Sequence, residues 1–281
     1  MKIYILPVED EYYLLPKISP FCAHSFGYNC ELDFHNYIQH YPELTKNPDE
    51  ADWHYLPLYW SYWQLSHNYG KDGREEMSEY LKKIVIDPKK TFTVSEADWE
   101  PNFGVEMKVF SGNTKDNGWT PIPILTLPHK IPDVLPDKKY HASFVGNTGA
   151  WPVRVRMVEL LKDDPVVNIV RSKKGEDLFV NSILESYTTL CPRGSALGSY
   201  RFYESMQLGV APVMISDYDF RPFGDKIDWG ACSYFVDDVE KLPQLFHSIS
   251  KEEAVEKGKI AQQVWNGLYN QGWCEYVMQY L

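Results

Sequence analysis

Cysteine is sparse in this chain and shows no pattern. Its five cysteines, Cys22, Cys30, Cys191, Cys232 and Cys274, are odd in number, far apart and free of any C-x-x-C pair. That spacing supports neither a zinc site nor a disulfide framework, so buried free thiols in a reducing compartment are expected. Positive charge is also short. Lys and Arg number 28 against 39 Asp and Glu, a formal net charge of −11, which weighs against a nonspecific nucleic-acid binder. Long apolar runs are missing as well. The run from Met1 to Leu6 soon meets Pro7 and the acids Glu9, Asp10 and Glu11, too early for a signal peptide or a membrane span. No other segment reaches spanning length without charges. There is no internal repeat and no low-complexity stretch. A soluble, cytoplasmic protein without an integral membrane segment is the expectation.

What is present is ample material for packing. Hydrophobic residues make up 44% of the 281 and aromatics 15%, which excludes disorder and predicts two domains rather than one. Short apolar runs alternate with helical spacing through the first half. Strands are expected over Lys2–Leu6, Trp53–Leu56, Thr91–Val94, Val105–Phe110 and Ile122–Leu125. Helices are expected over Leu32–His40, near a cap at Asn29, within Trp60–Tyr69, and over Glu75–Val85. Three prolines and several charges make Pro128–Lys139 a linker. The second half repeats the alternation with strands at His141–Val145, Val166–Val170 and Ala211–Ser216. Helices at Val153–Leu161 and Asp177–Glu185 lie among them, and closing helices cover Val239–Ile249 and Lys251–Asn270. Alternating strands and helices predict parallel sheets, hence an α/β protein of two Rossmann-like domains facing across a cleft. The expected division is 1–130 and 140–250, with the last helix, from 251–281, packing back on the first domain.

One stretch, Cys191 to Val213, carries chemistry. Gly194 and Gly198 permit close backbone approach, Ser199 stands at an N-cap, and Tyr200–Leu208 is helical until Gly209 and Pro212 end it. A helix N-terminus facing a small-residue loop suits an anion, and Arg193 and Arg201 flank it with planar phosphate-gripping forks. Glu204, one turn after Arg201, suits a pair of ribose hydroxyls. The same residues could instead be a capped helix with a surface ion pair. A second small-residue loop, Gly146-Asn147-Thr148, also follows a strand.

In order along the chain, Cys191-Pro192-Arg193-Gly194, Ser199-Tyr200-Arg201-Phe202-Tyr203-Glu204 and Gly209-Val210-Ala211-Pro212-Val213 resemble the exostosin-family glycosyltransferases. The family's patterns there are C-L-x-P-R-G, S-x-R-x-x-E and G-C-I-P-V. The resemblance continues at Asp217, Pro222-Phe223 and Asp228-Trp229. It extends back to Phe144-Val145-Gly146-Asn147, with a following arginine matched by Arg154 or Arg156, and to the Asp52–Tyr59 stretch. The compact, anchor-free versions encoded by large algal viruses, some of them xylosyltransferases, are the forms it is most similar to.

The resemblance implies a GT-B fold and an inverting transfer of a sugar from a UDP-sugar donor to a glycan hydroxyl, xylose being the leading choice. It implies a donor site of Gly146, Asn147, Thr148, Arg154, Arg193, Ser199, Tyr200, Arg201 and Glu204. No cofactor and no metal are expected, since arginines supply the positive charge. Asp217-Tyr218-Asp219 is therefore expected to be structural or sugar-facing rather than a cation site. Arg171, Ser172 and Lys173 could flank the nucleobase or lie on the surface. Inversion needs a base. Asp72, in a glycine-flanked loop, is the first choice, followed by Glu9 and Asp10 and then His24. Tyr59, Trp60 and Tyr62, with Trp63, are expected to offer an acceptor platform. The competing expectation is a glycan- or nucleotide-binding module of the same fold that has lost catalysis.

Overall fold

The structure, a computed structural model, describes residues 1–10, 12, 29–97, 103–112, 118–171, 176–194 and 196–281. His24, Ser172, Lys173 and Ser195 lie outside the described residues. The chain divides into two compact units, Met1–Leu127 with Asn270–Leu281, and Pro128–Tyr269.

Among the described residues the first unit holds five parallel strands, β1 (Ile3–Ile5), β2 (Trp53–Tyr55), β3 (Thr91–Ser95), β4 (Lys108–Ser111) and β5 (Thr120–Pro121). They are paired in chain order. Helix α1 (Cys30–Gln39) starts at Asn29, whose side chain accepts from the Leu32 amide at 2.8 Å. Helices α2 (Trp60–Ser66) and α3 (Arg74–Ile84) follow β2. Their apolar residues Trp60, Trp63, Met77 and Leu81 pack with Leu6, Leu56 and Phe103 into one core. A second apolar group joins Phe34 of α1 to Tyr55, Phe92 and Trp273 by ring contacts of 5.3–6.0 Å. The fifth strand pairs at Thr120–Pro121 rather than over Ile122–Leu125. Pro123 has no amide for a ladder, and Ile122, Ile124 and Leu125 are buried beyond the paired residues.

The second unit holds β6 (Tyr140–Gly146), β7 (Val167–Arg171), β8 (Ser186–Pro192), β9 (Ala211–Ile215) and β10 (Tyr234–Val236), all parallel, in the order β10-β9-β8-β6-β7. Helices α4 (Pro152–Leu161), α5 (Glu176–Leu184), α6 (Tyr200–Gln207), α7 (Trp229–Cys232), α8 (Leu242–Ser248) and α9 (Lys251–Leu268) connect and cover it. Strand β9 is buried at every position, as a central parallel strand covered on both faces should be. Met157, Leu161, Leu242 and Phe246 cover one face, and Val180, Ile183 and Leu184 belong to a separate cluster with Leu208 and Val210. The chain goes from β6 outward to β7, then returns to the other side of β6 as β8. Loops after β6 and β8 therefore diverge, which makes the carboxyl edge between them the place where ligands bind in such sheets.

Helix α6 ends in two nested bonds, Gly209 N to Met206 O at 3.0 Å and Val210 N to Ser205 O at 2.9 Å. Gly209 has φ of 70°, the left-handed turn that lets the chain double straight into β9. The C-terminal helices separate. Helix α9 belongs to the second unit, and α10 (Gly272–Gln279) to the first, where Trp273 Nε1 donates to Asp33 Oδ2 at 2.9 Å. The chain thus returns to the first unit after Tyr269, not from Lys251. Among the described residues no helix is long and apolar enough to cross a membrane.

Candidate functional site

Three arginines, on α4, just past β8 and on α6, converge at the carboxyl ends of β6 and β8. Arg154, on the first turn of α4, donates through Nε to Arg193 O at 3.2 Å and through Nη2 to Pro192 O at 3.3 Å. Its acceptors are neutral carbonyls, and burial holds its pKa below the usual guanidinium value. Its guanidinium lies against Gly194, where a Cβ would stand in ordinary contact, 3.4 Å from Nη2.

Arg201, in the first turn of α6, sits between two rings. Its guanidinium carbon is 4.6 Å from the Phe144 centroid and 4.5 Å from that of Phe179, and Nη2 donates to Val145 O. Burial is the main cause that lowers its pKa to about 10, and the nearby Glu204 carboxylate opposes the shift. The group stays cationic at neutral pH. A Cβ on residue 146 would lie 3.2 Å from Arg201 Nη2, a tight contact, so Gly146 gives the guanidinium its close approach to the strand end. The loop then turns at Asn147, whose Oδ1 accepts from the Gly149 amide at 3.1 Å, with Thr148 between them.

Arg193 extends the β8–β9 ladder through its amide to Ile215 O at 3.0 Å, and its side chain pairs with Asp217 beyond β9. The Trp151 ring lies 5.6 Å from its guanidinium carbon. Asp219 is paired in turn with Arg221, with Nε 2.8 Å from Oδ1. Both carboxylates of the Asp-Tyr-Asp triplet are therefore engaged by arginine. No cluster of metal-ligating side chains occurs among the described residues.

Ser199 has the extended backbone of an N-cap, and its carbonyl accepts from Phe202 N at 3.0 Å, but its hydroxyl makes no capping bond. The cap is thus one of backbone shape. Tyr200 opens the helix and is half-buried. Glu204 is only 6% exposed, and His129 Nε2 lies 3.0 Å from its Oε1. A surface pair with Arg201 is therefore the wrong picture for Glu204. Cys191 is buried, and burial pushes its thiol up to about 12, so it packs rather than reacts. The exposed Arg171 closes β7.

In the first unit the expected acceptor platform fails in part. Trp60 is 1% exposed, its Nε1 donating to Thr93 Oγ1 at 2.8 Å inside the core, and Tyr59 is 2% exposed. Rings buried this way cannot present a face to a sugar. Tyr62 is half-buried, while Trp63 is buried and stacks on His67 at 4.6 Å. Asp72 is exposed in the turn before α3, its amide donating to His67 O at 3.2 Å. Glu9 and Asp10 lie in the loop after β1, both exposed, with Glu9 3.4 Å from Lys83 Nζ.

Sequence reasoning missed His129, inside a segment read only as a linker, and the ring clamp of Phe144 and Phe179. The F-x-G-N match pointed to Phe144 without giving it a role, and Phe179 reads as an ordinary apolar helix residue.

The chain is similar to known glycosyltransferases. The model of the exostosin GT47 domain matches residues 1–252. The probable beta-1,4-xylosyltransferase IRX10 of Arabidopsis thaliana is 24% identical, covering 92% of this chain and 74% of its own. The probable glucuronosyltransferase GUT1 of Oryza sativa subsp. japonica is 23% identical over 92% and 73%. The exostosin-1 homolog of Caenorhabditis elegans reaches 36% over a shorter region, 32% of this chain and 23% of its own. Among solved structures, MurG of Acinetobacter baumannii aligns with a TM-score of 0.36 and 12% identity, over 89% of this chain and 77% of that one. The match to the domain model spans nearly the whole of both units, and the chain belongs to the exostosin GT47 family of glycosyltransferases.

Proposed function

We propose that the protein transfers a sugar from a UDP-sugar to a glycan hydroxyl, with inversion and without a metal ion. The observation that carries this reading is the convergence of Arg154, Arg193 and Arg201 on the carboxyl edge between β6 and β8, with Glu204 one helical turn away. Breaking a glycosyl–diphosphate bond leaves negative charge on the departing phosphate. Preorganised guanidiniums held by carbonyls and rings stabilise that charge without having to reorganise. The loop Gly146-Asn147-Thr148, Ser199 and the Tyr200 amide complete the phosphate cradle, and Glu204 accepts from the ribose hydroxyls.

Xylose is the leading donor sugar, and glucuronic acid stands beside it, since relatives are named for each. Asp72 is proposed as the base that takes the acceptor proton, with Glu9 and Asp10 as alternatives. Asp72→Asn should then abolish turnover while leaving UDP binding unchanged; unaltered turnover would remove Asp72 from the scheme. The half-buried Tyr62 remains the aromatic candidate for the acceptor. The cytoplasm suits such a protein, because Cys30, Cys191, Cys232 and Cys274 are free thiols.

The donor class is tested by thermal shift with UDP-, GDP- and ADP-sugars, because a ligand that binds only the folded state raises apparent stability by mass action. UDP-sugars alone should shift the transition. An equal or larger shift with GDP- or ADP-sugars would contradict the choice of uridine.

A further inference from the structure

The segment through which the chain enters the second unit is docked onto the proposed donor helix at His129. His129 lies two residues past Leu127, the last residue of the first unit's main segment. Its side chain is 1% exposed, and Nε2 is 3.0 Å from Glu204 Oε1. A carboxylate only accepts, so the imidazole donates from Nε2. The backbone of His129 is gripped on both sides by Gln207, a residue further along α6. The His129 amide donates to Gln207 Oε1 at 3.2 Å, and Gln207 Nε2 donates back to His129 O at 3.4 Å. Gln207 is fixed in turn, since its own carbonyl accepts from Gln262 Nε2 of α9 at 2.9 Å. The imidazole also lies 5.5 Å from Phe179, the ring that carries Arg201 on its other contact.

A buried carboxylate left to itself would rotate toward any donor or toward water, and its desolvation would be uncompensated. Here Oε1 is held by a donor whose backbone is itself clamped, which favours one orientation of the carboxylate. We propose that His129 is a positioning residue: it holds the Glu204 carboxylate ready for the ribose diol of the donor. This rests on the reading of Glu204 as the ribose acceptor. Because His129 donates to Glu204, its loss should erase discrimination for the ribose hydroxyls rather than weaken all nucleotides alike.

The test is calorimetric titration of UDP and of 2′,3′-dideoxy-UDP into the full-length protein and its variants. The wild type should favour UDP by about tenfold or more, the worth of hydrogen bonds to a charged group. His129→Leu and His129→Asn, neither of which reaches Glu204 with a donor, should bring that preference to within about twofold of unity. His129→Gln, which can place an amide N–H near the same point, should retain most of it. The Asn and Gln variants keep the comparison available if the Leu variant does not fold. An undiminished preference in His129→Asn or His129→Leu, with the preference lost in Glu204→Gln, would overturn the role of His129 while leaving the donor site standing. A wild type that binds both nucleotides equally, or neither, would overturn the ribose contact and this inference with it.

Discussion

The guanidinium carbon of Arg201 stands 4.6 Å from the centre of the Phe144 ring, and Phe144 belongs to the strand whose Val145 carbonyl accepts from that guanidinium. Strand and helix thus hold one cation by its face and its edge together. Lysine has neither a flat face nor a fork. Arg201→Lys should therefore lower kcat/KM for the donor about 100-fold, the scale seen when one preorganised donor to a developing anion is lost. Steady-state kinetics at saturating acceptor checks this. A loss of less than about threefold would mean that Arg201 serves packing and not the phosphate.

Much of this arrangement could be read before any coordinates. Helix α6 and its exit are written locally: Gly209 lies next to the residues whose carbonyls it caps, and Ala211–Ile215 is apolar throughout. The aromatic segment after β2 is different. Whether Trp60 faces a sugar or the core depends on Thr93, 33 residues away, which takes its N–H. His129 and Glu204 are 75 residues apart, so neither carries a local sign of the other. Strand β10 has three residues and α7 four, too few for periodicity to reveal.

Helix α9 bears on the end of α6 through a glycine. A Cβ on Gly258 would sit 2.3 Å from the carbonyl oxygen of Gly209, and that backbone is already committed to the turn ending α6. No rotamer change relieves a clash with backbone. Gly258→Ala should destabilise the protein by about 1–3 kcal/mol despite the better helix propensity of alanine, the usual cost of overpacking. Scanning calorimetry should show a lower Tm, by about 2–4 °C for each kcal/mol in a chain of this size class. An unchanged or higher Tm would refute the close approach.

Glu31 gives stability a pH dependence of definite sign. It is buried, and its carboxyl accepts from Ser61 Oγ at 2.7 Å and from the amides of Ser61 and Glu96 at 3.1 and 2.9 Å. Burial is the largest cause that pushes it up to about 8; the Glu96 charge adds to this, and the bonds from Ser61 and Glu96 oppose it. An unfolded chain releases that proton near the ordinary value of 4.5. Between those two values the folded state holds a proton that the unfolded state lacks, so stability falls as pH rises through the window and levels off above it. Glu31→Gln removes this contribution. The Tm of the variant relative to wild type should therefore rise from pH 5 to pH 8; a constant or falling difference would contradict the raised pKa.

Charge at the proposed donor site comes from guanidinium groups, and the Asp217 and Asp219 carboxylates are both paired with arginines. Removal of divalent cations with EDTA should leave turnover within about twofold of the untreated enzyme. Loss of activity restored by Mn²⁺ would contradict the metal-free mechanism.

The central claim is that the carboxyl edge of the second sheet binds and cleaves a UDP-sugar. The most direct measurement is UDP release from a UDP-sugar panel that includes UDP-xylose and UDP-glucuronic acid, with a glycan acceptor present, for wild type, Arg201→Ala and Glu204→Ala. Acceptor-dependent release with one donor is expected in the wild type, and release at least about 100-fold slower in both variants. Wild-type release from no donor, or undiminished release from either variant, would contradict it.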